Sequence, residues 1–370
     1  MPIVPKRFQL LFVSLFTIFI LYGGSLTLVG AILPRIFIDF RWNYVEAGMV
    51  LAGWSVGAFL GAFSAGRLLH LLGIRMTAIL GLGFNVAGLF LFGASPLVVA
   101  NLFFCFLIGS GQGFLEVSIN WSVVRMCEAG DGRAMNLVHG AFSIGAVLAP
   151  IILSVIITSG LPWSFAFKGG AILFLLLLGA TLFLPFGPLG KDSGTEAHHF
   201  KGLTRSPAYW LGFVALFLYV GAEIGISNWC AEFFVRTFNT SVGTGALVVS
   251  LFWAGVLAGR LGFPILLPRA DSGRLMVILS VAFALSAGLV LAAGLAGPRA
   301  LILGFFAVAA AGLGASCIYP SVMTLVGSAF PATQGPAMSF ATTGGSVGAF
   351  VFPFAMSGIS SWAGLTAGFA

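Results

Sequence analysis

The chain has 370 residues, of which 59% are hydrophobic and 7% are charged. A soluble globular domain carries about 25% charged residues, so this composition excludes one and places the chain among integral membrane proteins. A net charge of +7 would suit a nucleic-acid binder, but the basic residues are scattered between apolar runs and read as topology signals, so no nucleic-acid partner is expected.

The N-terminal MPIVPKRFQLLFVSLFTIF has a basic start and an apolar run that continues past Tyr22 without a small-residue cleavage pattern. It reads as a first span and not as a signal peptide. With about 20 apolar residues needed per crossing, the spans fall near 8–31, 45–65, 74–94, 97–122, 134–158 and 164–186. A polar stretch, GPLGKDSGTEAHHFKGLTRSP, follows at 187–207; its His198-His199 reads as a solvated loop feature. Spans resume near 208–231, 243–267, 275–296, 299–326 and 335–358, which makes eleven. The tail SSWAGLTAGFA opens a twelfth but stops short of a crossing, so an incomplete last span is expected. The expected domains are a six-helix bundle (1–186), a cytoplasmic linker (187–207) and a second helical bundle (208–370). Cys105, Cys127, Cys230 and Cys317 stand singly in apolar segments, as small buried residues do.

Placing the N-terminus inside puts twelve Lys and Arg on the cytoplasmic side and five on the other. That positive-inside bias predicts a multi-pass cell-membrane protein, in the inner membrane if bacterial, with a cytoplasmic N-terminus. Trp42, Trp163, Trp210 and Trp362 fall at span ends, where membrane-interface aromatics sit.

The halves repeat. GRAMNLVHGAFSIGAVLAP (132–150) aligns without gaps on GPAMSFATTGGSVGAFVFP (335–353), with seven of nineteen residues identical. ILYGG (20–24) matches FLYVG (217–221), Gly57 and Gly61 match Gly255 and Gly259, and GSGQG (109–113) is paired with AAGLG (310–314). The matches lie six spans apart, so both halves enter the membrane in the same direction. Parallel repeats of this kind describe a transporter architecture with its site near the midplane.

On these features the chain resembles the major facilitator superfamily. GRLLHLLGIR (66–75) is similar to that family's signature loop, although His70 stands where the family has Asp. GSGQGFLEVSIN (109–120), MNLVHGAFSIGA (135–146) and YVGAEIGISNW (219–229) resemble the fucose permease and sodium-dependent glucose transporter-like group. The resemblance implies an all-α membrane protein of two parallel-repeat helical bundles. One departure stands in TLVGAILPRIF, where Gly30 occupies the place of that group's first-helix acid, so a two-acid relay through helix one is not available.

Two acids fall deep in predicted spans, Glu116 and Glu223. An ionised residue at the bilayer centre costs roughly 2.5–3.5 kcal/mol on insertion scales, so such residues face a cavity or a partner. Withdrawal from water disfavours the charged form of a carboxyl group, which suits a buried acid to exchanging protons. The bland alternative is an acid bonded permanently to a neighbouring helix. Gln112, Glu116 and Asn120 follow at i, i+4 and i+8 and line one helix face. His139, one turn beyond Asn136 and Met135, is a candidate relay or hydroxyl ligand, or a histidine bonded to a helix neighbour. Its repeat counterpart is Thr342.

Glu116, Glu223 and His139 are therefore the ion-coupling candidates. Gln112, Asn120, Asn228, Tyr22, Trp54 and Trp253 are the substrate-binding candidates, each aromatic doubling as a packing residue. Arg125 and Arg260 are placed at cytoplasmic helix ends, and Arg125 and Arg133 as gating partners of Glu128 and Asp131. No Walker loop, Rossmann fingerprint or zinc motif occurs, so no enzyme, metal or cofactor is expected. The expected function is proton-coupled symport of a sugar or similar small polar solute, acting as a monomer in the lipid bilayer, with sodium as the alternative ion. The rivals are an exporter of amphipathic compounds or organic anions, against which no Arg or Lys is placed deep in a span, and a non-transporting membrane sensor.

Overall fold

A computed structural model describes residues 4–126, 133–189, 203–266 and 271–370. The expected gating partners Glu128 and Asp131, Cys127 and His198-His199 lie outside the described residues, as does much of the 187–207 linker. Among the described residues every regular element is a helix. They are α1 (Gln9–Asp39), α2 (Tyr44–Leu91), α3 (Val98–Met126), α4 (Arg133–Thr158), α5 (Ser164–Thr181) and α6 (Pro207–Thr237). The remainder are α7 (Val242–Leu266), α8 (Ser272–Ala296), α9 (Leu301–Ala315), α10 (Ile318–Ala329), α11 (Gln334–Ala363) and the short α12 (Leu365–Phe369).

Nine helical segments among the described residues are long and apolar enough to cross a membrane. Two of them hold two predicted spans each. Residues 44–91 bend at Gly73, whose φ of 80° and ψ of 167° leave the helical region. A side chain there would be strained, so a glycine in the loop between the second and third spans has a backbone reason. Residues 273–329 are interrupted at Gly297–Ala300. They are interrupted again at Ser316–Cys317, inside what the sequence reads as one span. Pro320 explains the second gap. Proline has no N–H to offer the carbonyl four residues back, and its ring crowds that carbonyl, which belongs to Ser316.

The chain divides into two compact units. The first comprises Met1–Leu28, Met49–Ile152 and Ile156–Thr195, the second Val29–Gly48, Leu153–Val155 and Glu196–Ala370. In the first, α1 lies on α4 so closely that a Cβ on Gly145 would overlap the Ile20 carbonyl. The corresponding residues of the second unit, Gly348 on α11 and the Phe217 carbonyl on α6, meet in the same way. Likewise Gly109 of α3 abuts the Trp54 carbonyl of α2, and Gly312 of α9 abuts the Phe252 carbonyl of α7. Small residues that admit a neighbouring backbone are the usual currency of helix packing in lipid.

The last pair corrects the repeat register. With Trp54 matched to Phe252, as Gly57 is to Gly255, Gly109 corresponds to Gly312 and not to Ala310. Glu116 then corresponds to Tyr319, whose hydroxyl lies 3.3 Å from the Oγ1 of Thr342, the counterpart of His139. The second unit holds a neutral Tyr–Thr pair where the first has an acid and a histidine.

Two of the four expected interface tryptophans are packed inside the protein. Trp42 and Trp163 are buried, the latter edge-on to Phe92 and Phe167, while Trp210 and Trp362 are exposed. Position at a span end does not settle which way an indole turns. Cys105, Cys230 and Cys317 are buried.

Candidate functional site

Within the first unit the polar stripe of α3 meets α1 and α2. Gln112 is fully enclosed; its Nε2 donates to Ser25 Oγ at 2.7 Å and its Oε1 accepts from Trp54 Nε1 at 2.8 Å. The amide thus ties α3 to both neighbours, and Trp54 is held by the ring nitrogen. One turn on, Glu116 is half-buried and its Oε2 accepts from the Tyr22 hydroxyl at 3.1 Å. Among the described residues no Lys or Arg forms an ion pair with Glu116. One further turn on, Asn120 Oδ1 is buried and accepts no hydrogen bond among the described residues. A buried acceptor left without a partner costs free energy, so its presence calls for a reason. Tyr22 is held edge-on by Phe19 and Phe142, with ring centroids 5.2 Å and 5.5 Å away. His139 also meets Phe19 edge-to-face, with ring centroids 5.4 Å apart. The structure therefore brings Gln112, Glu116, Tyr22, Trp54 and His139 into one neighbourhood.

In the second unit the repeat counterpart of Tyr22, Tyr219, also serves an acid. Its hydroxyl donates to Glu223 Oε1 at 2.6 Å, one turn along α6. Glu223 is buried, and Arg260 of α7 places Nη2 4.0 Å from the same oxygen. This overturns the placement of Arg260 at a helix end. It sits well inside α7, where Cα–Cβ bonds tilt toward the helix N-terminus, so its long side chain runs back along α7 and away from Leu266. Arg260 Nε also donates to the Ser316 carbonyl at 3.3 Å, the group that Pro320 deprives of its helical donor. Trp253 is 1% exposed and its Nε1 donates to Ser227 Oγ at 2.9 Å, joining α7 to α6. Asn228 is buried where the α6 backbone passes Gly30, and Trp229 donates to the Pro353 carbonyl at 3.2 Å.

Sequence reasoning missed a third buried acid. It ended the seventh span at 231, but α6 continues to Thr237, and the Glu232 side chain is wholly enclosed. Glu232 Oε1 accepts from Arg236 Nε at 2.8 Å and lies 3.5 Å from the Tyr44 hydroxyl, while its Oε2 has no partner among the described residues. An acid and an arginine four apart immediately after Trp229 was the available signal. No cluster of metal-ligating side chains occurs among the described residues.

Apolar helices long enough to span, a twofold repeat of packed helix pairs, and a tyrosine-bonded acid in each unit define a multi-pass membrane protein. The chain belongs to the Major Facilitator Superfamily, whose family model matches residues 15–353. A curated relative in Helicobacter pylori (strain J99), named "Putative glucose/galactose transporter", is 24% identical over 266 residues, or 67% of this chain and 65% of that one. A second curated relative at 24% identity is spanned over 54% of its length, so the chain covers about half to two thirds of these two proteins. Two solved structures share the fold. The nucleoside transporter NupG superposes with a TM-score of 0.74 at 20% identity, covering 99% of this chain and 96% of that one. The transporter FucP in the outward conformation superposes with a TM-score of 0.68 at 18% identity, covering 98% and 95%.

Proposed function

We propose that the chain is a secondary active transporter that moves a sugar or a similar small polar solute together with protons, by alternating access. The observation that carries this is Glu116: a carboxyl group inside a membrane helix, bonded by a neutral hydroxyl, with no described ion pair. Such an acid can gain and lose a proton without breaking a salt bridge. His139, behind Phe19, is the second proton-handling candidate of that unit, and Glu223 is the acid of the other. The neutral, uncharged side chains around Glu116, and the unmet acceptor of Asn120, suit hydroxyl groups. The name of the Helicobacter pylori relative supports a sugar, and that of the nucleoside transporter another uncharged polyhydroxyl solute. Sodium is the alternative ion. A monomer in the cell membrane with a cytoplasmic N-terminus completes the reading.

Uptake of a labelled sugar panel into proteoliposomes, with and without an inward proton gradient, tests it. Gradient-driven accumulation of one sugar by the wild type is expected, with accumulation lost and exchange kept in Glu116→Gln. Equal accumulation by that variant would remove Glu116 from coupling. A rival reading, the organic-anion exporter, gains one observation, the guanidinium of Arg260 inside α7. It predicts that organic anions, and no sugar, compete for transport.

A further inference from the structure

Glu116 and Glu223 share a chemistry, a carboxyl inside a membrane helix accepting from a repeat-related tyrosine, but not a charge environment. The described titratable group bonded to Glu116 is Tyr22 of α1, and His139 of α4 packs on Phe19, which packs on Tyr22. Around Glu223 they are Tyr219 on its own helix, Arg260 on α7 and Cys317 in the gap between α9 and α10, whose thiol donates to the Gly259 carbonyl at 3.7 Å. The face that α11 turns to α6 contributes Phe352 and Met356. Arg260 is thus anchored twice, on the Glu223 carboxylate and on the carbonyl released by Pro320. Its counterpart in the first unit is Ala62, so that arrangement belongs to the second unit alone.

We propose that Arg260 is the charge partner that makes Glu223 a fixed hydrogen-bond acceptor for an uncharged polyhydroxyl substrate, leaving proton exchange to Glu116. This deepens the proposed symport reading and rests on it. At 4.0 Å the two side chains attract each other but stand beyond the roughly 2.7–2.9 Å of a charge-assisted hydrogen bond. The pair is neutral as a whole. A hydroxyl can donate to Glu223 without disturbing that balance, whereas an organic anion would be drawn to Arg260 and repelled by Glu223. The guanidinium that would otherwise favour an anion carrier is therefore already compensated.

Glu223→Gln, Arg260→Gln and the double variant, compared with wild type and Glu116→Gln, separate the parts. Thermal unfolding of the purified proteins needs no substrate. Each single variant leaves one charge of the pair without its partner, so the double is expected to melt above both singles. A double that loses the sum of the two single shifts overturns the pairing. In proteoliposomes the double should transport the wild-type sugar with a KM raised about tenfold, the cost of losing a bond to a charged acceptor, and with the pH dependence of the wild type intact. Glu116→Gln should flatten that pH dependence. A flat profile in the double variant, or an unchanged KM, overturns the division of labour. No sugar uptake by the wild type would end the symport reading, and with it the acceptor role of Glu223, while the melting comparison separately decides whether Arg260 compensates it.

Discussion

At the scale of single residues, the sequence exposes a buried acid far more readily than that acid's partner. Glu116 and Glu223 stand out because ionisable residues are rare in apolar runs, and the i, i+4, i+8 spacing shows that Gln112 and Asn120 share a face with Glu116. Nothing local reveals that Tyr22 reaches Glu116 across 94 positions of sequence, or that Arg260 turns back toward Glu223. Glu232 escaped because hydropathy fades before the helix does. Its energetics are testable. Arg236 is 56% exposed and Glu232 is not exposed at all, so removing the arginine costs more through the carboxylate it leaves than through the ion pair itself. Arg236→Ala is expected to destabilise by about 1–3 kcal/mol, the range for an abandoned buried acceptor. In a Glu232→Gln background the same change should cost less than about 0.5 kcal/mol, as at an ordinary surface site. Equal costs in both backgrounds, read from unfolding of the purified protein, would show that Arg236 acts independently of Glu232.

At the scale of elements, helix existence was legible throughout and helix continuity was not. The long apolar run from 299 to 326 satisfies every requirement of a span, yet Pro320 divides it at Ser316–Cys317 and frees the carbonyl that Arg260 uses. That signal lay in the sequence, since a proline inside a helix removes a known bond. Gly30 is the opposite case. Its departure from the family's acid has a reason visible only in three dimensions: a Cβ there would stand 2.7 Å from Asn228 Cα, where α1 and α6 run backbone to backbone. Neither backbone can yield as a flexible side chain could. Gly30→Ala should therefore cost about 1–3 kcal/mol, as overpacking does, and Gly30→Asp more, because it adds a charge to the same gap. If both variants unfold with the wild type, α1 and α6 are not in close contact and the steric account of the missing acid fails.

At the scale of the whole chain, the repeat was legible as sequence identity but its register was settled by packing. Equivalent tyrosines serve both acids, although Glu116 corresponds to Tyr319 and Glu223 to Leu26, so each unit acquired its carboxyl from a different place. Orientation rests on a third kind of information, the distribution of Lys and Arg. Arg260 is spent inside the second unit and cannot serve as a topology signal. Without it the count becomes eleven against five, still strongly biased toward the side that carries the 187–207 stretch. Lys and Arg near span ends resist translocation, so that stretch is expected in the cytoplasm. Ser159, exposed between α4 and α5, is expected on the opposite side. With the four cysteines replaced by serine, Ser159→Cys on intact cells should react with a membrane-impermeant maleimide. Ser193→Cys should react only after permeabilisation. The reverse pattern would invert the topology and would mean that charge distribution does not govern insertion here, leaving the repeat and the two acid sites untouched.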